Sequence, residues 1–341
     1  MRKFASFLIF LLILSILSSF GVMLRYDGEY PLEIGQDFDD NLRINHQEYL
    51  DEEQPEMMLL GDSTLKDSVN FDQLGEALGI NAYGVAVPGS TTALWYLILK
   101  NNILTAEHKP DYLVIYTRET MMTAPEFRVD GGYFATIDEY AGSDEPLLLE
   151  RSYMRQMGKL EQTATRYLPV FGQRDQVRGS IDYRINHTLP VVFNCGEACV
   201  KDTLDTIFAG AVDKKAVLAA QNRMENYLWE MKRLFFNHQL EHSYLPEIER
   251  MTRENDIQLI LVEMKTFRSP PSTTTFLLLD MYMRNLREYS AEKGIVYISF
   301  EDDPRLTREL FPDGFHLAEE AMPMFTEMLA EELAGVVEAR E

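Results

Sequence analysis

Five short apolar runs, separated by segments of helical spacing, constrain this chain more than any other feature. Glu56–Leu60, Ile80–Val87, Tyr112–Tyr116, Gln258–Glu263 and Ile295–Ser299 read as β-strands. Asp72–Leu78, Thr91–Leu104, Leu277–Glu292 and Ala318–Glu338 read as helices. The second of these gathers Leu94, Trp95, Leu97 and Ile98 on one apolar face, and the last carries Pro323 in its first turns, where proline is best tolerated. Strands that alternate with helices over such short spans predict an α/β protein with a parallel sheet covered on both faces. At 341 residues the chain can bury a sizeable core, and 46% hydrophobic with 26% charged residues marks it as globular rather than disordered.

The alternation is interrupted. From about 125 to about 250 no strand pattern is evident, and a long helical segment is expected over Lys214–Asn237, with Leu218, Met224, Tyr227, Leu228, Met231 and Leu234 on one stripe. This stretch reads as a mainly helical insertion within a domain at 55–341. Phe4 to Leu24 is 21 residues without a charge, preceded by Arg2 and Lys3. That pattern predicts an N-terminal transmembrane anchor at 1–24, with the N-terminus cytoplasmic and the remainder on the far side. A cleaved signal peptide is the rival reading. Residues 25–54, polar and acidic, read as a juxtamembrane stalk.

A formal net charge of −23 excludes the basic footprint that nucleic-acid binding needs, and points to a neutral or cationic substrate over an anionic one. The two cysteines, Cys195 and Cys199, suit either a local disulfide or two free thiols, and their spacing is not that of a zinc site. His238, Glu241 and His242 match a short metal-peptidase pattern but lack a third ligand, so a solvated helix face is the better reading. Asn186-His187-Thr188 matches a glycosylation sequon by a match too short to carry weight.

In open α/β sheets the site lies at the carboxyl ends of the strands. Four segments fall there: Gly61-Asp62-Ser63-Thr64 after the first strand, Pro88-Gly89-Ser90 after the second, Thr117-Arg118-Glu119 after the third, and Asp313-Gly314-Phe315-His316 in a late loop. A serine hydroxyl is a weak nucleophile until a base takes its proton. His316 is the best base available, and Asp313, three residues earlier, can fix its tautomer. The backbone N–H groups of Ser63 and Gly89 are candidate donors to a developing oxyanion. Alone, the Gly-Asp-Ser triplet reads equally well as a helix cap, and the Asp-x-x-His segment as a turn.

Together these segments resemble three of the four sequence blocks of the SGNH/GDSL hydrolase superfamily, over residues 55–125 and 255–341. The resemblance implies a flavodoxin-like three-layer α/β/α fold with a five-stranded parallel sheet. It also implies Ser63 as nucleophile, His316 as base, Asp313 as its orienter and Gly89 as oxyanion donor, with no cofactor or metal. The third block departs from the family. Where Gly-x-Asn-Asp is usual, this chain has Tyr116-Thr117-Arg118-Glu119-Thr120, so Arg118 or Thr117 is expected to replace the missing asparagine as a donor, with a structural ion pair between Arg118 and Glu119 at the strand end as an equal reading. With its anchor, the chain resembles the membrane-tethered branch that modifies cell-envelope polysaccharides. That implies an extracytoplasmic O-acetyltransferase or esterase at the bacterial inner membrane, with a glycan acceptor and a multi-pass membrane O-acyltransferase as partners. The missing asparagine motivates an alternative, a catalytically inactive glycan-binding or scaffold module. A lipase or thioesterase acting near the bilayer is a third reading.

Overall fold

All five expected strands form, and they form one sheet. The computed structural model describes residues 2–26, 30–32, 38, 44–174, 177 and 225–339. Strands β1 (Met57–Gly61), β2 (Ala82–Ala86), β3 (Tyr112–Thr117), β4 (Gln258–Glu263) and β5 (Val296–Ser299) pair in parallel throughout, in the order β2-β1-β3-β4-β5. Met57 stands opposite Ala82 on one side and Tyr112 on the other. Every residue of β1 and β3 is buried, which is why these strands read as unbroken apolar runs rather than as alternating ones. The chain leaves β1 toward one edge and returns past it to build the other. The reversal falls between β1 and β3, where a doubly wound sheet opens a crevice.

Helices α2 (Gln47–Glu53), α3 (Ser63–Ser68), α4 (Phe71–Leu78) and α5 (Thr92–Ile98) follow or flank the first strands. Side-chain alternation sends Met57, Leu59, Val114, Tyr116, Ile260 and Val262 to one face, where Leu65 of α3, Leu74 of α4, and Phe325, Leu329 and Leu333 of the C-terminal helix Met322–Glu338 close over them. Each such side chain contributes about 1.5–3 kcal/mol on full burial. On the second face, the helices Leu245–Glu254 and Thr273–Lys293 contact β4 and β5, and α5, buried at all seven positions, packs against the first of these helices. Pro323 lies in the first turn of its helix, as expected.

The chain divides into two compact units, Asp37–Ser152 with Glu225–Glu341, and Met1–Gln36 with Tyr153–Met224. The expected insertion at 125–250 is therefore too wide, since residues up to Ser152 and from Glu225 belong with the sheet. The expected stalk is also too long. Leu50 is fully buried, the His46 N–H donates to Asn102 Oδ1 at 2.9 Å, and the His108 N–H donates to Asp51 Oδ1 at 3.0 Å. Polar composition there reflects an amphipathic helix with one anchoring leucine.

The expected helix Thr91–Leu104 changes hand-hold midway. After α5 a π-helical turn, Leu99–Ile103, widens the backbone. It turns Asn101 and Asn102 inward, and the Asn101 amide donates to Tyr140 O and Glu145 Oε1, both at 2.8 Å. The helix expected over Lys214–Asn237 is not continuous where it is described. Residues 226–237 comprise two 3-10 turns, Asn226–Trp229 and Met231–Leu234, and the start of a short helix, Phe236–Leu240. The rest of that segment, Cys195, Cys199 and the Asn186 sequon lie outside the described residues.

In the other unit, helix α1 (Arg2–Tyr26) is continuous over 25 residues. The Val170 N–H, in the short helix Pro169–Gly172, reaches Ser19 Oγ at 3.4 Å, while Phe4, Phe7, Phe10, Leu17, Phe20 and Leu24 are exposed. Among the described residues no helix is long and apolar enough to cross a membrane. The fold thus leaves the expected anchor as an apolar surface on α1 rather than an established span.

Candidate active site

The turn after β1 is built by Asp62. Its extended backbone ends the strand, and its Oδ1 accepts from the Thr64 N–H at 2.8 Å and the Thr64 hydroxyl at 2.6 Å, capping α3. The cap reading and the site reading of Gly-Asp-Ser therefore hold together. The cap fixes α3, and Ser63, its first residue, stands half-exposed at the strand end.

The late loop is built around Asp313 in the same manner. Asp313 Oδ1 accepts from the N–H groups of Phe315 and His316 at 3.0 and 2.9 Å. Between them Gly314 takes φ 98°, a backbone that glycine adopts without strain. The turn leaves Asp313 Oδ2 2.5 Å from His316 Nδ1, and His316 Nε2 2.8 Å from Ser63 Oγ. An ionised carboxylate only accepts, so the imidazole proton resides on Nδ1 and the Nε2 lone pair faces the serine hydroxyl. Residues 253 apart in sequence thus form one relay, serine to histidine to aspartate.

The electrostatics fit that relay. Burial alone would lower the His316 pKa, but the hydrogen bond and charge of Asp313, with the charges of Asp67 and Asp62, outweigh it and raise it above the ordinary 6.5. Burial would raise the Asp313 pKa, whereas its bonds from the His316 ring, the His316 N–H and the Phe315 N–H bring it down to about 2. Asp313 is ionised wherever the histidine titrates.

The loop after β2 is tied to the nucleophile strand. The Ser90 hydroxyl donates to Gly61 O at 2.8 Å and accepts from Trp95 Nε1 at 3.0 Å, while the Val87 N–H donates to Gly61 O at 3.0 Å. Gly89 takes φ 79°, and a Cβ there would stand 2.6 Å from Tyr133 Cε1. Among the described residues, nothing accepts a hydrogen bond from the Ser63 or Gly89 N–H. Both donors remain for a ligand.

Arg118 is placed differently from its expected role as an oxyanion donor. Its side chain is 1% exposed, beneath the relay rather than facing the crevice. Nη2 lies 2.9 Å from Glu225 Oε2 and 3.7 Å from Asp62 Oδ2, and Nη1 lies 3.4 Å from Glu119 Oε2. Arg128 also pairs with Glu225, and Arg268 lies 3.4 Å from Glu225 Oε2 and 3.7 Å from Glu119 Oε1. Three carboxylates and three guanidinium groups thus balance in one buried cluster. Burial opposes the charge of Arg118, but its carboxylate partners hold it firmly protonated. The Arg118, Arg128 and Arg268 charges lower the Glu225 pKa against its burial, whereas for Glu119 burial prevails and the shift is upward. Thr117, the other expected substitute, is buried as the last residue of β3.

Glu225, Arg128 and Arg268 were not expected from the sequence, since they come from three separate segments with no local motif. His238 and His242 lie with ring centroids 6.2 Å apart, and among the described residues no group of side chains could hold a metal ion. The cavity lined by Glu249, Arg253, Gln258 and Gly294 opens at the amino end of β4, the opposite edge of the sheet from Ser63. No family model matches the chain, and no curated protein matches it.

Proposed function

We propose that this chain is an extracytoplasmic serine acyltransferase or esterase of the SGNH type. It acts on O-acyl groups, acetyl foremost, of a cell-envelope or exported polysaccharide. The observation that carries this reading is the Ser63–His316–Asp313 relay at the carboxyl edge of a parallel sheet ordered 2-1-3-4-5. His316 Nε2 takes the Ser63 proton as Oγ bonds to the carbonyl carbon of the acyl donor. The negative oxygen that forms is met by the N–H groups of Ser63 and Gly89. As the bond to the leaving alkoxide breaks, His316 returns the proton to it, leaving the acyl group on Ser63. A sugar hydroxyl or water then attacks, His316 takes its proton, and Ser63 is released with that proton restored. Only the acceptor separates transfer from hydrolysis.

Membrane attachment through α1 belongs to the same proposal. Its support is the run of exposed phenylalanine and leucine side chains on a helix of 25 residues. The full chain is expected in the membrane fraction after an alkaline carbonate wash. Recovery in the supernatant would sink this part of the reading.

The catalytic part is tested by incubating the full chain in detergent with p-nitrophenyl acetate and following chromophore release together with intact mass. Gain of one acetyl group is expected. Gly89→Ala should slow that acylation by about 100- to 1,000-fold, because it displaces one of two oxyanion donors. It should also cost about 1–3 kcal/mol in denaturant titration for forcing alanine to a positive φ against Tyr133. An unchanged rate would remove Gly89 from the site. The burial of Arg118 favours a second reading, a non-catalytic glycan-binding or scaffold module, since it leaves two backbone donors where the family has a third from a side chain. A folded parent that gains no acetyl group would favour that reading.

A further inference from the structure

We propose that Arg118 is a positioning residue of this site, holding the nucleophile turn and the base loop in register from below. The inference rests on the reading of Ser63 and His316 as nucleophile and base.

Arg118 follows β3, the strand between the one that delivers Ser63 and the ones that lead to His316. From there its guanidinium reaches both partners through their immediate neighbours. On one side is Asp62, whose Oδ1 caps the helix that begins at Ser63 and whose Oδ2 faces Arg118 Nη2 at 3.7 Å. On the other side is Phe315, whose ring centroid lies 5.2 Å from Arg118 Cζ and 4.1 Å from the His316 ring. Guanidinium, phenyl and imidazole follow one another, the cation over the phenyl face at a distance where attraction is appreciable and the two rings tilted by 44°. Glu225 and Asp62 pair with Nη2 of the guanidinium, and Glu119 pairs with Nη1. The guanidinium is therefore itself fixed, and its planar fork cannot be replaced by an ammonium without loss of geometry. The 2.8 Å contact between Ser63 and His316 joins two loops that have no other described side-chain hydrogen bond to one another. Arg118 supplies the second, buried tie between them.

The full chain in detergent, labelled with carbon-13 at histidine Cε1, is compared with Phe315→Leu, Arg118→Lys and Arg118→Met. The first reading is the rate of labelling by a fluorophosphonate. Ser63 Oγ bonds to phosphorus, the P–F bond breaks with loss of fluoride, and His316 takes the proton. A misplacement on the order of 1 Å costs roughly 100-fold, so Phe315→Leu and Arg118→Lys are expected to slow labelling by about 10- to 100-fold while remaining folded. The second reading is the titration of His316. Asp313, Asp67 and Asp62 are the charges that bear on it. Arg118→Lys keeps the compensation of Asp62 and leaves the titration in place. Arg118→Met exposes His316 to the full Asp62 charge and moves it to higher pH. Parental labelling rates in both Phe315→Leu and Arg118→Lys overturn the proposal. A parent that is not labelled at all contradicts the nucleophile reading instead. The His316 signal then decides alone: a moved titration in Arg118→Met, or a changed ring signal in Arg118→Lys, supports the tie, and no change in either overturns it.

Discussion

Replacing Ser63 with alanine is expected to abolish the acetyl adduct and to lower kcat by about a million-fold, the scale on which a relay of this kind loses its nucleophile. The variant should remain folded. Ser63 is half-exposed, and α3 is capped by Asp62 rather than by Ser63, so the loss is one partly exposed hydrogen bond, about 1 kcal/mol or less. Intact mass after incubation with p-nitrophenyl acetate, paired with a thermal melt, reads both halves. An adduct that persists in Ser63→Ala would place the reactive group elsewhere.

Asp313→Asn is expected to lower kcat by about 10,000-fold. The amide presents an N–H where the carboxylate presented an acceptor. The imidazole proton moves to Nε2, the atom that must accept from Ser63. The pH dependence carries a separate signature. The base must be neutral to act, so the parent's rate should rise with pH through a midpoint above 6.5, since Asp313 holds the His316 pKa above that value. Without Asp313 the upward influence falls to Asp67 and Asp62 while burial still lowers it, and the residual activity should rise through a midpoint at lower pH. A profile of kcat/KM against pH for both proteins measures this. A midpoint that fails to move down would mean that Asp313 does not govern His316.

The strands were legible because burial on both faces writes itself as uninterrupted apolar runs, and β1 and β3 are cases in point. Ser63, Asp313 and His316 were legible because each lies in a short local turn whose sequence dictates its own geometry. The Arg118–Glu119 ion pair was legible from adjacency at a strand end, whereas the donor role expected of Arg118 was misplaced, since sequence order does not say which way its side chain turns. The carboxylate that claims it, Glu225, arrives from more than a hundred residues away. The width of the insertion was misjudged for a related reason. Residues 121–152 and 225–250 carry no strand pattern, yet they belong with the sheet unit through buried side chains such as Met122, Phe127, Leu228 and Phe236 and through buried contacts such as the Thr120 hydroxyl on Leu228 O at 2.6 Å and the Thr123 hydroxyl against Tyr282 OH at 2.8 Å.

The distance in sequence between Ser63 and His316 also orders events in time. A ribosome adds about 5–20 residues per second, so the 253 residues between them take about 13–50 s to appear. Through that interval Ser63 exists without His316, and the sheet face beside it lacks Phe325, Leu329 and Leu333, which come later still. The Ser63–His316 contact and the last part of the core therefore arrive together. A chain cut short before His316 lacks both that histidine and the helix that closes one face of the sheet, so under the proposed reading a truncated copy carries an inert serine on an incomplete core.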